Sequence, residues 1–321
     1  MTGGSRTRVL GIHLAALALL AGAQFVLPPF HHGMLARIMV LAAYAVGYNV
    51  LLGYTGLMSL GHAMFFAAGM YGTGLTIHHL GHLGLGVAAG FLAGAVSGLA
   101  AAGLVGLITL RTTGPTFLIV TMMLAQAFYL ATLYFNAVTG GDQGFILTGL
   151  RLDLAGVRLP LSEPAVKYNV ALVVFAACLL VSLWITRSPV GRVLAAVREN
   201  EERTRLLGYD TARYRLVAVL VSGLLSGIAG SAYTLLFSYV GSTFAGILYS
   251  IYPLLWTLLG GAGTVLGPLV GTLLMTYIVD IASGITTGYL FVVGAALVVM
   301  ILWAPAGIVG SIRARWAAWL P

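Results

Sequence analysis

Charge is scarce in this sequence: 7% of its 321 residues are Asp, Glu, Lys or Arg, against roughly 25% in a soluble domain. With 60% of the residues apolar and a mean hydropathy of +1.01, a water-soluble globule is excluded. Cysteine is nearly absent. The single Cys178 sits within an apolar run, so the sequence offers neither a disulfide pair nor a thiolate metal cluster. Lysine is just as rare: Lys167 stands alone and follows Val166, whereas a phosphate-cradling P-loop needs lysine between glycine and Ser or Thr. The sequence therefore carries no Walker A site, and no enzymatic role is expected.

What remains is apolar length and arginine. A bilayer core needs about 20 apolar residues per helical pass, so the chain has room for roughly eight to ten passes. The net charge of +8 comes from arginines scattered among apolar runs. It reads as the positive-inside bias of a membrane protein rather than as a nucleic-acid surface. The expected class is an all-α, polytopic integral membrane protein forming one domain over residues 1–321.

Hydropathy marks passes at 9–27, 34–53, 60–78, 84–109, 115–137, 167–186, 216–238 and 288–303, with 250–283 between the last two. Ala21-Gly22-Ala23 resembles a signal cleavage site, but the first run exceeds the roughly 7–15 residues of a signal h-region, so it reads as an uncleaved helix. The polar stretch from Thr139 to Glu163 reads as an external loop. Residues 187–215 are different. They hold seven arginines and four acids, which sets this loop on the cytoplasmic side. Arg313 and Arg315 demand the same side, so 250–283 is expected to be two short passes interrupted at Gly260-Gly261-Ala262-Gly263 and Gly267-Pro268. About ten passes with both termini cytoplasmic then satisfy the charges.

Leu51 to Gly56, with Gly61 after it, echoes Leu258 to Gly263, with Gly267 after it. Interrupted helices in corresponding halves are a transporter device. Gly86, Gly90, Gly94, Gly98, Ala102 and Gly106 form a four-spaced row of small residues, and Ser222, Ser226 and Gly230 form another; such rows let helix backbones approach closely in lipid.

Within the charged loop, Val193, Val197, Asn200, Thr204 and Leu207 fall at helical spacing and Gly208 offers a stop. Pro189 to Leu207 is expected to form a short amphipathic helix. Glu199, Glu201 and Glu202 interrupt its basic face, and mixed charge around a small apolar stripe suits a protein groove better than an anionic lipid surface.

The Gly53–Gly74 segment holds six glycines with Thr55, Ser59 and His62. It reads equally as the lining of a path for a zwitterion or as close helix packing around a satisfied histidine. His78, His79 and His82 form a cluster near the external end of the third pass; with no acid nearby it reads as structural, and no metal site is assigned. Asp280 lies in an apolar run near a helix end, where a hydrated, interfacial carboxylate is expected. An autonomous ion-coupled solute transporter would depend on this residue and is the alternative reading. A Ser59–His62 hydrolase lacks the Gly-x-Ser-x-Gly elbow.

Ser188-Pro189, Gly191-Arg192, Ala196, Arg198-Glu199-Asn200-Glu201, Leu207-Gly208, Tyr214 and Gly227-Ile228-Ala229-Gly230 resemble the branched-chain amino-acid ABC importer permease family, in its LivM-type branch. The resemblance continues through Asn49 to His62, Thr139-Gly140-Gly141-Asp142, and Leu259 to Thr264 with Gly267-Pro268. It implies a permease in a bacterial cytoplasmic (inner) membrane, forming a heterodimer with a second permease subunit. Its other partners would be two cytoplasmic ATPase subunits, which bind the ATP and Mg, and a periplasmic or lipid-anchored substrate-binding protein. The resemblance makes the 187–215 segment a coupling loop, with Arg198, Glu199, Asn200, Glu202 and Gly208 as ATPase contacts. It favours a translocation path along Tyr54, Thr55, Ser59, His62, Gly260 and Gly261. The sequence departs from the family pattern at Tyr252, Pro253 and Trp256, which bears on substrate, and at Ala304-Pro305-Ala306-Gly307, which bears on a C-terminal ATPase contact.

Overall fold

A computed structural model of the chain describes residues 3–80, 86–154 and 157–316. Fourteen helices are seen among them: α1 Gly3–Val26, α2 Pro29–Asn49, α3 His62–Leu80, α4 Val87–Thr109, α5 Gly114–Tyr134, α6 Asn136–Thr139, α7 Pro164–Arg187, α8 Pro189–Glu199, α9 Glu201–Leu206, α10 Thr211–Phe237, α11 Ile247–Gly260, α12 Gly267–Ile285, α13 Tyr289–Trp303 and α14 Ile308–Trp316. Seven helices are long and apolar enough to cross a bilayer, and α11 and α13 are shorter apolar helices. Each expected pass falls on a helix, but α3, at the expected pass 60–78, is not among these nine. One start shifts: Pro28-Pro29 does not merely close the first pass, because Pro29 is the first residue of α2, a position where its missing N–H costs nothing.

Helix α2 is the central post. A π-helical turn, Val50–Tyr54, extends it, and its side chains are buried almost throughout, whereas α1 and α4 present apolar side chains outward. The outward set includes Leu92, Val96, Leu107, Met123, Trp184 and Phe291, the surface expected of a protein solvated by lipid tails.

The small-residue rows are the helix contacts. A Cβ on Gly98 would meet Gly227 Cα at 2.6 Å, and one on Gly227 would meet Gly98 Cα at 2.8 Å. Gly94 lies against Thr73 and Ser231, and Gly106 against Leu216. Gly86, first in the row, meets nothing and instead precedes α4 as its N-cap. Packing between α3, α4 and α10 therefore depends on backbone-to-backbone approach.

Helix directions follow from hydrogen bonds. Tyr168 Oη donates to Leu20 O at 2.6 Å, and Asn169 Nδ2 to Gln24 Oε1 at 3.1 Å, so α1 runs antiparallel to α7 and its N-terminus lies at the end where α7 gives way to α8. At that same end Arg215 reaches the turn between α4 and α5, and Arg313 of α14 reaches the α11–α12 break. Both ends of the described chain thus sit with the arginine-rich loop. At the opposite end, β1 (Phe145–Ile146) pairs antiparallel with β4 (Tyr239–Val240), and β2 (Arg151–Leu154) with β3 (Val157–Pro160). These short sheets lie in the Thr139–Glu163 loop and after α10; the hydropathy signal contained no trace of them.

Helix α11 contains Pro253, which cannot donate to the carbonyl four residues back. That carbonyl, Tyr249 O, accepts instead from Tyr44 Oη of α2 at 2.8 Å. A polar group freed inside the membrane is satisfied by a neighbouring helix.

Candidate coupling site and membrane breaks

The charged loop folds as two helices rather than the single one its periodicity suggests. Ser188 caps α8, its Oγ accepting from Gly191 N at 3.3 Å. At Asn200 the backbone turns extended (φ −160°, ψ 103°), and Asn200 Oδ1 accepts from Arg203 N at 2.8 Å, capping α9. An asparagine side chain satisfies a first-turn N–H better than it serves a helix interior, so the helix breaks there. The break redirects the stripe. Val193, Leu194, Val197 and Thr204 are buried, but Asn200 and Leu207 are exposed.

Leu206 is 82% and Leu207 72% exposed, with Tyr209 beside them at 45%. Two leucines and a tyrosine projecting from an arginine-rich loop form a surface patch that no described residue covers. Glu199, Asn200, Glu202 and Gly208 are exposed around it. Gly208 adopts φ +91°, the left-handed conformation that ends the segment and that a side chain would resist. The loop is anchored from behind by buried Arg215. Its Nη1 donates to Thr112 O at 3.2 Å and pairs with Glu201 at 3.3 Å, while Nη2 donates to Leu110 O.

Arg198 looks the other way. Its Nη1 donates to Gly53 O, and its stem lies over Gly56. Gly53 belongs to the π-turn that ends α2, where unpaired carbonyls and the helix dipole favour a cation. The second glycine-rich break is handled alike: Arg313 Nη1 of α14 donates to Gly263 O at 2.8 Å, just beyond the end of α11. The two breaks touch. Asn49 Nδ2 donates to Thr264 O and Asn49 Oδ1 accepts from Gly263 N, each at 2.9 Å. A Cβ at Gly263, where φ is +78°, would meet Gly53 O at 2.9 Å. The segments that echo one another in sequence therefore meet at the arginine-rich end, each tied to its own arginine. Between Arg198 and Arg313 lies a cavity of about 470 Å³, floored by Leu258, Ala262 and Thr264.

The six path residues fall into two groups. Tyr54, Thr55, Gly260 and Gly261 belong to these breaks; Thr55 Oγ1 donates to Val50 O at 3.1 Å, and Gly261, at φ +119°, packs against Gly310 and Ala306. Ser59 and His62 lie deeper, where residues 56–61 run without helical structure before α3 begins. Tyr48 Oη donates to Ser59 O at 3.0 Å, and Ser59 Oγ accepts from Gly61 N at 3.1 Å. His62 is fully buried among Tyr48 and Phe65, with ring centroids at 4.7 and 5.0 Å, and its Nε2 lies 2.7 Å from Ser222 Oγ. Because Ser222 donates its only proton to Gly47 O, it must accept from His62 Nε2–H. Nδ1 is then an acceptor with no partner among the described residues. The larger cavities are lined by other side chains.

His78 and His79 close α3, their rings 4.8 Å apart, and His78 packs on Phe145 at 5.1 Å. His82 lies outside the described residues. Asp280 is exposed in α12, five positions before its end, and its backbone carbonyl accepts from Ser283 Oγ at 2.9 Å. Among the described residues no three His, Cys, Asp or Glu side chains gather into a metal site.

A multi-pass helical protein with interrupted passes, and with an arginine-rich loop gripping those interruptions, has the build of a transporter's membrane subunit. Comparison with known proteins agrees. The family model described as "Branched-chain amino acid transport system / permease component" matches residues 32–303, and the chain belongs to that family. It is 28% identical over 296 residues to the high-affinity branched-chain amino acid transport system permease protein LivM of Salmonella typhimurium, covering 86% of this chain and 69% of the relative. The Escherichia coli LivM protein is 26% identical over 299 residues, with the same coverage. LivH of Salmonella typhimurium is 23% identical over 280 residues, or 84% of this chain and 91% of that one. No solved structure matches. Membership makes the chain a transport permease without an ATPase domain and displaces the ion-coupled carrier that would have relied on Asp280.

Sequence reasoning missed Leu206, Arg215 and Arg313. Leu206 falls off the apolar stripe, and the partners of the two arginines are remote in sequence; only the charge rule pointed to them, as a group.

Proposed function

We propose that this chain is the permease subunit of an ATP-driven importer of branched-chain or related amino acids in a bacterial cytoplasmic membrane, with both termini inside. It pairs with a second permease subunit and two cytoplasmic ATPases, which hold ATP and Mg, and receives substrate from a periplasmic or lipid-anchored binding protein. The observation that carries this reading is the two-faced coupling segment: Leu206 and Leu207 are bare on one side, while Arg198 grips Gly53 on the other. An ATPase that seats the leucines and contacts Glu199, Asn200, Glu202 and Gly208 moves α8 and α9 when it closes on nucleotide. Arg198 carries that movement to the end of α2, and the Asn49 bonds carry it on to the α11–α12 break. Helices broken at glycine bend there at low cost. The non-helical segment 56–61 before His62 then opens alternately to either side, a movement that favours a path along Tyr54, Thr55, Ser59, His62, Gly260 and Gly261.

The test is co-expression of the four membrane-associated subunits, with ATP-dependent uptake of leucine, isoleucine and valine in proteoliposomes supplied with the purified substrate-binding protein. With Leu206→Asp and Leu207→Asp combined, the ATPases are expected to be lost on purification while the second permease is retained. Full ATPase retention and uptake in that variant would overturn the docking assignment; no ATP-dependent amino-acid uptake by the wild type would overturn the function.

A further inference from the structure

Arg37 is the one arginine of the central helix, and no part of the coupling apparatus uses it. It lies eight residues into α2, roughly 12 Å from the start of that helix, within a stretch long and apolar enough to cross a bilayer. An intramembrane arginine is costly and normally faces a paired charge or a water-filled cavity. Here no carboxylate among the described residues pairs with it; Nη2 donates to Tyr233 Oη at 3.0 Å, and the side chain is otherwise open. It opens into a cavity of about 280 Å³ walled by α2, α11, α12 and α13. The wall is apolar and aromatic: Tyr249, Tyr252, Trp256, Met275 and Val293, with Thr276 as an added hydroxyl-bearing residue. Tyr252 and Trp256 stack with ring centroids 5.8 Å apart and planes 13° from parallel.

An unpaired guanidinium at one side of an apolar, aromatic chamber has the complement of a carboxylate with a hydrophobic tail. A carboxylate accepts two parallel N–H bonds from arginine, and about 280 Å³ leaves room for a small aliphatic or aromatic amino acid. Tyr249 and Tyr252 also line a second cavity, of about 380 Å³, with Gln126, Tyr129 and Thr243, so two tyrosines stand between adjoining chambers. Resting on the permease reading above, we infer that Arg37 receives the carboxylate of the transported amino acid and that Tyr252 and Trp256 bound its side chain. The cavity is a transient stop within the membrane, distinct from the glycine breaks at the arginine-rich end.

The test uses the purified permease–ATPase complex in phosphatidylcholine nanodiscs, with quenching of Trp256 read as the difference from the Trp256→Phe complex. L-leucine and L-phenylalanine are expected to quench saturably, and L-leucinamide, which lacks the carboxylate, is not. Arg37→Gln should weaken the response by about tenfold or more, the loss of one charge-assisted pair, and Arg37→Lys should restore part of it. In the full importer, Arg37→Gln should raise KM for leucine by about tenfold or more and Arg37→Lys by less, an ordering by charge that global misfolding does not produce. Thr276→Val provides a milder variant if Arg37→Gln fails to assemble; a smaller rise in KM is expected. Equal quenching by leucinamide, or unchanged KM in both variants while the wild type transports leucine, overturns the inference and leaves the permease reading standing. Displacement of leucine by added phosphatidylglycerol would assign the chamber to an anionic lipid headgroup and also overturn it. If leucine quenches through Arg37 but the wild type shows no ATP-dependent uptake, the site survives and the importer reading fails.

Discussion

At the scale of single residues, the interior is held by polar atoms that answer one another across long chain separations. Pro253 leaves Tyr249 O without its helical donor, and Tyr44 supplies one from 205 positions away. Tyr44→Phe removes that donor without changing shape, leaving a buried carbonyl orphaned at a cost of about 1–3 kcal/mol. A fall of several degrees in the thermal midpoint of the detergent-solubilised protein is expected, while Tyr252→Phe, whose hydroxyl makes no bond among the described residues, should leave it near the wild-type value. Ser222→Ala removes the group shared by His62 and Gly47 and is expected to cost about 0.6–1.7 kcal/mol, the range of interhelical polar contacts in membranes; the same melt measures it. Such pairings were not legible in the sequence. His62 read equally well as a satisfied packing residue or a path residue, and its bond to Ser222 depends on a partner 160 residues distant.

At the scale of elements, the passes were legible because burial in lipid is a local, composition-driven requirement: about 20 apolar residues span or they do not. The interruption of 250–283 was also visible, since glycine and proline act on their own backbone. Its geometry was not. A Cβ on Gly271 would strike Trp256 O and approach Gly260 N at 2.8 Å, so the two arms of the hairpin meet through bare glycine. Gly271→Leu is expected to hold α11 and α12 apart and abolish uptake, with the variant still inserted in the membrane, as checked by fractionation and transport. The loop helix failed as a single element because Asn200 is a better cap than a helix residue, a preference that periodicity does not weigh. Asn200→Ala removes the cap, worth about 1 kcal/mol, and is expected to lower coupled transport more than it lowers assembly, measured as uptake against co-purified ATPase. Helix α14 gave no signal; its short, mixed sequence has no apolar run to betray it.

At the scale of the whole molecule, the charge distribution separates two ends. Arginines gather with both ends of the described chain and with the two glycine breaks, and the short β-pairings gather opposite. Because Cys178 is the sole cysteine and is buried, Cys178→Ala provides a background in which Glu202→Cys reports sidedness. With the ATPases not co-expressed, an impermeant maleimide is expected to label that position in inverted vesicles and not in intact cells. The general division of ends followed from counting arginines, but the connection between them did not. Nothing in the order of residues announces that Arg198 bonds Gly53, or that the two echoing segments touch through Asn49.

That connection is the centre of the account, and the coupling ratio tests it most directly: amino acid imported per ATP hydrolysed by the reconstituted importer carrying Arg198→Ala. The ATPases should remain bound and active, since Leu206 and Leu207 are untouched, while the ratio falls by about tenfold or more, as expected on losing a charge-assisted bond that transmits force. A ratio equal to that of the wild type, at any rate of hydrolysis, would mean that the movement reaches the membrane helices by another route.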